Sequence, residues 1–214
     1  MADTHQDTPH ASGTIDFTMM YATHDAFRRD LDRLVAAASA GRATDPRVLA
    51  GWENFKHQLH LHHSVEDSDL WPRVRNGAAD SPLALALLAD MESEHAQIDP
   101  LLAAIDRALA DGGSGLADLA QEARAVLVYH LEHEEQDALP LIQKLLGPAD
   151  WKGFAARFRE RQGFKGAAVY IPWIVDDLGT QGRRRFFGAM PPPVKALNKL
   201  VWEPRYRKQE LWGA

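Results

Sequence analysis

Cysteine is absent from the 214 residues, which excludes thiolate catalysis, iron–sulfur clusters and structural disulfides. No apolar run approaches the ~20 residues a membrane span needs. The opening residues MADTHQDTPHASGT lack the basic and apolar regions of a secretory signal. These absences predict a soluble, unexported chain in a reducing cytoplasm. No nucleotide motif, haem or flavin site, or obvious nucleophile stands out. No segment keeps a period of two for long, which argues against strands.

What is present is unevenly charged. Residues 1–150 carry 11 Lys/Arg against 25 Asp/Glu, a net −14, whereas residues 151–214 carry 13 against 5, a net +8. An acidic body excludes nucleic acid as the main partner, because phosphate recognition rests on basic surface. The basic tail is expected to find its electrostatic partner in the acidic body of the same chain.

The periodicity is helical. Phe17, Met20, His24, Phe27, Leu31 and Leu34 recur at spacings of three and four, as one stripe of an amphipathic helix. Val48, Trp52, Phe55, Leu59, His62, Glu66 and Leu70 repeat the pattern in a second helix predicted to end near Pro72. Leu88, Met91, His95, Ile98, Leu102 and Ile105 mark a third, and Leu119, Ala123, Val126, His130, Glu134 and Leu141 a fourth. Breaks at Gly41, Asp45-Pro46, Asn76-Gly77, Ser81-Pro82 and the run Gly112 to Gly115 separate them. The expected fold is all-α, an antiparallel up-down four-helix bundle with a C-terminal helical extension. Its expected divisions are a disordered leader over 1–14, the bundle over 15–147, and a basic, aromatic-rich extension over 148–214 packed on the bundle.

Polar residues interrupt each stripe, and they repeat. Residues 62–72 read HHSVEDSDLWP and residues 130–140 read HLEHEEQDALP, sharing H-x-x-x-E-[DE]-x-D-x-[LW]-P. A lone histidine precedes each copy, His24 and His95. Residues four apart on a helix face the same way, so His62 with Glu66 and His130 with Glu134 can each direct two donors to one point. Any one of these histidines could be an ordinary core residue. Burying four imidazoles and two carboxylates together without metal would cost several kcal/mol per unpaired charge. Imidazole with carboxylate suits iron, with manganese or zinc as substitutes. The predicted metal ligands are therefore His24, His62, Glu66, His95, His130 and Glu134, with the two glutamates able to bridge two ions.

The remaining candidates read as secondary. His57, His60 and His63 rotate away from the His62/Glu66 face, and His133 sits beside the His130 face. Asp69 and Asp137, seven residues after His62 and His130, could hold ligand histidines or form plain salt bridges. Tyr21 and Tyr129 neighbour ligand positions and read as core or wall. Glu92-x-x-His95 has the spacing of ferritin-type di-iron sites but occurs once.

With the pattern H…HxxxE…H…HxxxE in hand, the chain resembles the hemerythrin-like, or HHE cation-binding, family over residues 15–147. The downstream Leu-Trp-Pro and Ala-Leu-Pro elements also look like that family. The resemblance implies two non-haem iron ions bridged by Glu66 and Glu134, and a centre that meets O2, peroxide or nitric oxide. Oxygen-carrying hemerythrins have two histidines one turn apart on the third helix. Here Met91 and Asp99 flank His95, which predicts a more open site and favours oxidative or peroxidatic chemistry over reversible carriage. The competing readings are O2 or nitric oxide binding or sensing without turnover, and iron sequestration. An electron donor and any organic substrate are invisible in the sequence. A basic tail in contact with anionic membrane is the less favoured alternative to docking.

Overall fold

The computed structural model describes residues 14–188 and 190–213, so almost all of the expected leader lies outside the described residues. Its elements are α1 (Thr18–Ser39), α2 (Pro46–Val65), α3 (Trp71–Gly77), α4 (Pro82–Ala110), α5 (Leu116–His133), α6 (Leu139–Leu145), α7 (Pro148–Val175), α8 (Thr180–Gly188), α9 (Pro192–Leu197) and α10 (Glu203–Arg207). No strand occurs among the described residues, and no helix there is long and apolar enough to cross a membrane. The fold is all-α.

Helix starts follow local chemistry. Asp45 caps α2 by accepting from Arg47 N at 2.9 Å, with Pro46 in the first turn, and Ser81 caps α4 ahead of Pro82. Gly41, with φ of 66°, turns the chain after α1 where a side chain would be strained.

Two of the four expected rods contain a π turn, and one of them runs past its expected end. Helix α2 does not stop near Pro72; a π turn, Glu66–Leu70, carries it into α3, which ends at Gly77. A second π turn, Glu134–Ala138, joins α5 to α6 in the same way. The widened turn lets Trp71 N bond back to Glu66 O, and Leu139 N to Glu134 O. The proline that follows, lacking an N–H, then falls at the start of a new α-helical segment, where none is needed.

The apolar stripes meet in two clusters. One gathers Phe27, Leu31 and Leu34 of α1, Trp52, Phe55 and Leu59 of α2, Ile98 and Ile105 of α4, and Leu127 and Leu131 of α5. The other gathers Val65, Leu70, Trp71, Leu88, Met91, Leu139 and Ile142. A fully buried side chain of this size contributes about 1.5–3 kcal/mol. Along each rod the histidines and glutamates fall between the two clusters, which places a polar layer inside an apolar body.

Helix α7 lies against α1 and α2. Trp173 Nε1 donates to Asp30 Oδ2 at 2.8 Å, and Arg29 donates to the carbonyl oxygens of Trp173 and Asp176 at 2.8 and 2.7 Å. Arg33 pairs with Asp176 at 2.8 Å and also with Asp177. The polarity is the reverse of the charge-based expectation. Among the described residues, no Lys or Arg of 151–214 pairs with an acid of the first 150. Arginines of the acidic body instead hold three of the tail's carboxylates, Asp176, Asp177 and Glu210. Net charge sets a long-range field, whereas the half-buried arginines of α1 decide the contacts.

Candidate metal centre

The six predicted residues converge. His24, His62, Glu66, His95, His130 and Glu134 are each at most 6% exposed although they come from four separate helices. The donor atoms of His24, His62 and Glu134 lie within 4.8 Å of one another, and so do those of a second trio, His63, His95 and His130. His24 Nε2 is 3.3 Å from both His62 Nε2 and Glu134 Oε2, while His95 Nε2 is 3.2 Å from His130 Nε2. Glu66 reaches towards both trios, with Oε1 at 3.1 Å from His62 Nε2 and Oε2 at 3.8 Å from His95 Nε2.

The outer faces of three imidazoles are anchored. His24 Nδ1 lies 2.8 Å from Glu135, His95 Nδ1 2.8 Å from Asp67, and His130 Nδ1 2.8 Å from Glu94. A carboxylate at that distance holds the proton on Nδ1, so the Nε2 lone pairs point inward at one another. Facing lone pairs repel unless a cation or proton stands among them. All four oxygens of Glu66 and Glu134 are buried without a hydrogen-bond partner. Orphaned carboxylate oxygens beside converging imidazole lone pairs form a donor set that fits borderline divalent cations.

In the metal-free protein the two equivalent carboxylates are driven apart. Burial, reinforced by Glu134 and Asp67, pushes Glu66 well above the usual carboxylate range. Burial would raise Glu134 too, but His24, His62 and His130 outweigh it and hold its carboxyl down. For His24, Glu134 and Glu135 overcome burial and raise the imidazole. His62 and His63 are pushed well below the usual histidine value, chiefly by burial.

His63 corrects the sequence reading. Expected to turn away from the site, it is 8% exposed and stacks on His95 with ring centroids 3.9 Å apart and planes at 12°. Its Nε2 has no hydrogen-bond partner. Adjacent helical residues diverge by about 100°, which carries them off a single face but lets them reach two neighbouring points. His63 of α2 thus stands beside His95, and Met91 sits in the apolar cluster. The doubled His62-His63 was the available signal.

The supporting carboxylates also differ from those expected. Asp69 pairs with Arg73 at 3.0 Å, and Asp137 lies 3.7 Å from His133. The residues that hold site histidines are Asp67 and Glu135, the position directly after each glutamate in the repeat, together with Glu94. The π turn adds a residue to the turn and rephases everything beyond it, so the seven-residue spacing no longer returns to the site. His133 shares Glu94 at 2.8 Å, while His57 and His60 are exposed as expected. Tyr21 and Tyr129, expected as core or wall, are instead exposed, and Glu92 pairs with Arg75 on the surface and so does not join His95 in a ferritin-type pair.

The two halves of the centre are not equivalent. The residue before His95 is Glu94, which supports His130. The residue before His24 is Thr23, whose hydroxyl donates to Met19 O at 2.8 Å and lies 2.7 Å from the Tyr170 hydroxyl of α7.

No curated protein and no solved structure matches the chain. A family model described as the hemerythrin HHE cation binding domain matches residues 16–142, more than half of the chain and all six predicted site residues. With a layer of histidines and glutamates whose donors can hold a cation built across those same helices, the chain belongs to the hemerythrin HHE cation-binding family.

Proposed function

We propose that this protein holds two iron ions in the centre of an antiparallel up-down bundle and reacts there with O2, peroxide or nitric oxide. One ion would be held by His24, His62 and Glu134 and the other by His63, His95 and His130, and Glu66, within reach of both trios, would supply further carboxylate charge between them. The observation that carries this reading is the pair of donor trios flanking four orphaned carboxylate oxygens. When bound, a redox-active pair of this kind supplies electrons to a small oxidant.

The chain's own residues define how the site would work. Glu135, Asp67 and Glu94 orient their imidazoles and keep the Nε2 atoms free to donate. The buried glutamates compensate cationic charge where water is excluded. The first trio offers two imidazoles and the second three, so an ion held on the His24/His62 side would have fewer imidazole donors. That asymmetry supports oxidative or peroxidatic turnover over simple storage.

The test is metal analysis with spectroscopy of the iron-loaded protein as O2 and then peroxide are added. About two irons per chain and repeated turnover of oxidant are expected, and Glu66→Ala or Glu134→Ala would lose both ions together. A single tightly held ion, indifferent to both substitutions, would overturn the dinuclear reading. A stable, reversible oxygenated form would replace turnover with binding.

A further inference from the structure

The π turns share a register that extends beyond the metal centre. Glu66–Leu70 is followed by Pro72, Glu134–Ala138 by Pro140, and a third, Asn198–Trp202, by Pro204. In each, the residue before the proline bonds back five positions to the residue that opens the turn. The three opening residues, Glu66, Glu134 and Asn198, are at most 1% exposed. All three carry a side-chain oxygen with no hydrogen-bond partner. Such turns commonly mark functional positions, because they present one side chain out of helical phase. Two of the three serve the cation layer. Asn198 does not; it lines a separate cavity of about 670 Å³ walled by α8, α9 and α10, within the size range of small-molecule sites.

The charges of the wall indicate what fits. Arg183, Lys195, Lys199 and Arg207 line the cavity against one carboxylate, Glu203. Glu203 is already engaged: Arg183 Nη2 donates to both its oxygens at 2.8 Å, Arg207 Nη2 at 2.6 Å and Asn198 Nδ2 at 3.2 Å. That last bond fixes the Asn198 amide with its oxygen left as an acceptor. Lys195 and Lys199 have no carboxylate partner among the described residues. The adjoining cavity around Arg33 differs, because Arg33 is matched there by Asp30, Asp176 and Asp177. Phe187 and Pro204 add apolar surface.

We infer that this cavity binds a small organic anion, a phosphate or carboxylate on a flat body, with Lys195 and Lys199 on the anion and Phe187 against the body. Charged groups gathered in a concave wall both attract and orient such a molecule.

Calorimetric titration of the metal-loaded, full-length protein with 4-hydroxyphenyl phosphate, 4-hydroxybenzoate and inorganic phosphate tests this. At least one aromatic anion should bind once per chain, more tightly than inorganic phosphate, with affinity that falls as salt rises. The tighter of the two names the head group. The double variant Lys195→Ala/Lys199→Ala should weaken binding by about tenfold or more. Anions that instead occupy the cation pair would be indifferent to those lysines. The proposal is overturned by three results: no heat from either aromatic anion at millimolar concentration, unchanged affinity in the double variant, or inorganic phosphate binding equally well. Binding confined to vesicles of phosphatidic acid would overturn it in favour of a membrane contact.

Discussion

Asp67 lies 2.8 Å from Nδ1 of His95, 28 residues further along the chain. Its counterpart Glu135 holds His24 at the same distance. The residue after each glutamate of the repeat thus orients the lone histidine of the other half, so the two halves of the centre build each other. A fragment carrying one copy of the repeat would have neither a complete donor set nor an oriented one.

Removing these supports is expected to weaken metal binding without removing a ligand. Asp67→Ala or Glu135→Ala is expected to lower cation affinity about 10–100-fold, measured by competition with a chelator. Asp69→Ala, which frees only Arg73, is expected to leave affinity unchanged. Equal losses in all three variants would mean that general charge, and not orientation, is responsible.

His63→Ala is expected to reduce bound metal from about two ions per chain to about one, because it takes one of three imidazoles from its trio. His57→Ala, on the exposed face, is the matched control and is expected to retain full content. Met91→His is expected to change neither content nor reactivity. Full metal retention in His63→Ala, measured by elemental analysis, would exclude His63 as a ligand.

Proton linkage gives a prediction with a definite sign. In the metal-free protein, Glu66 is raised well above its usual value of 4.5, and His24 is raised above 6.5. Between the unfolded and folded values of each group, the folded chain holds the extra proton, so stability falls as pH rises. Cations must displace those same protons, so their affinity rises over that window. His62 and His63 are lowered, so they add a slope of the opposite sign that dies away as the unfolded imidazoles lose their last protons above 6.5. The gap in melting temperature between metal-loaded and metal-free protein is therefore expected to widen as pH rises above 6.5. A constant or narrowing gap would refute the assignment.

Trp173 tests how the tail is held. It is fully buried, its ring is 5.2 Å from Phe27, and its indole N–H donates to the buried Asp30. Trp173→Phe removes the donor and part of the ring volume and is expected to cost about 1–3 kcal/mol. Trp173→Ala also opens a cavity and is expected to cost about 3–5 kcal/mol. Denaturant unfolding measures both. If both variants match the parent, α7 adds nothing to the stability of the helices beneath it.

The all-α class, the helix starts at Asp45 and Ser81, and the six candidate ligands were legible in the amino-acid sequence because each depends on local geometry. A spacing of four places His62 with Glu66, and His130 with Glu134, on one helical face whatever lies around them. What only the tertiary structure decided depends on events that break that phase or on surfaces brought in from far along the chain. The π turns at Glu66 and Glu134 shift all that follows, which moves Asp69 to Arg73 and gives the supporting role to Asp67. His63 belongs to the site because a second donor cluster lies about 100° round the helix from the first, a fact about neighbouring helices that its own helix cannot encode. The docking polarity of the tail likewise follows from where Arg29 and Arg33 emerge on α1, since net charge says only that two segments attract and not which groups meet.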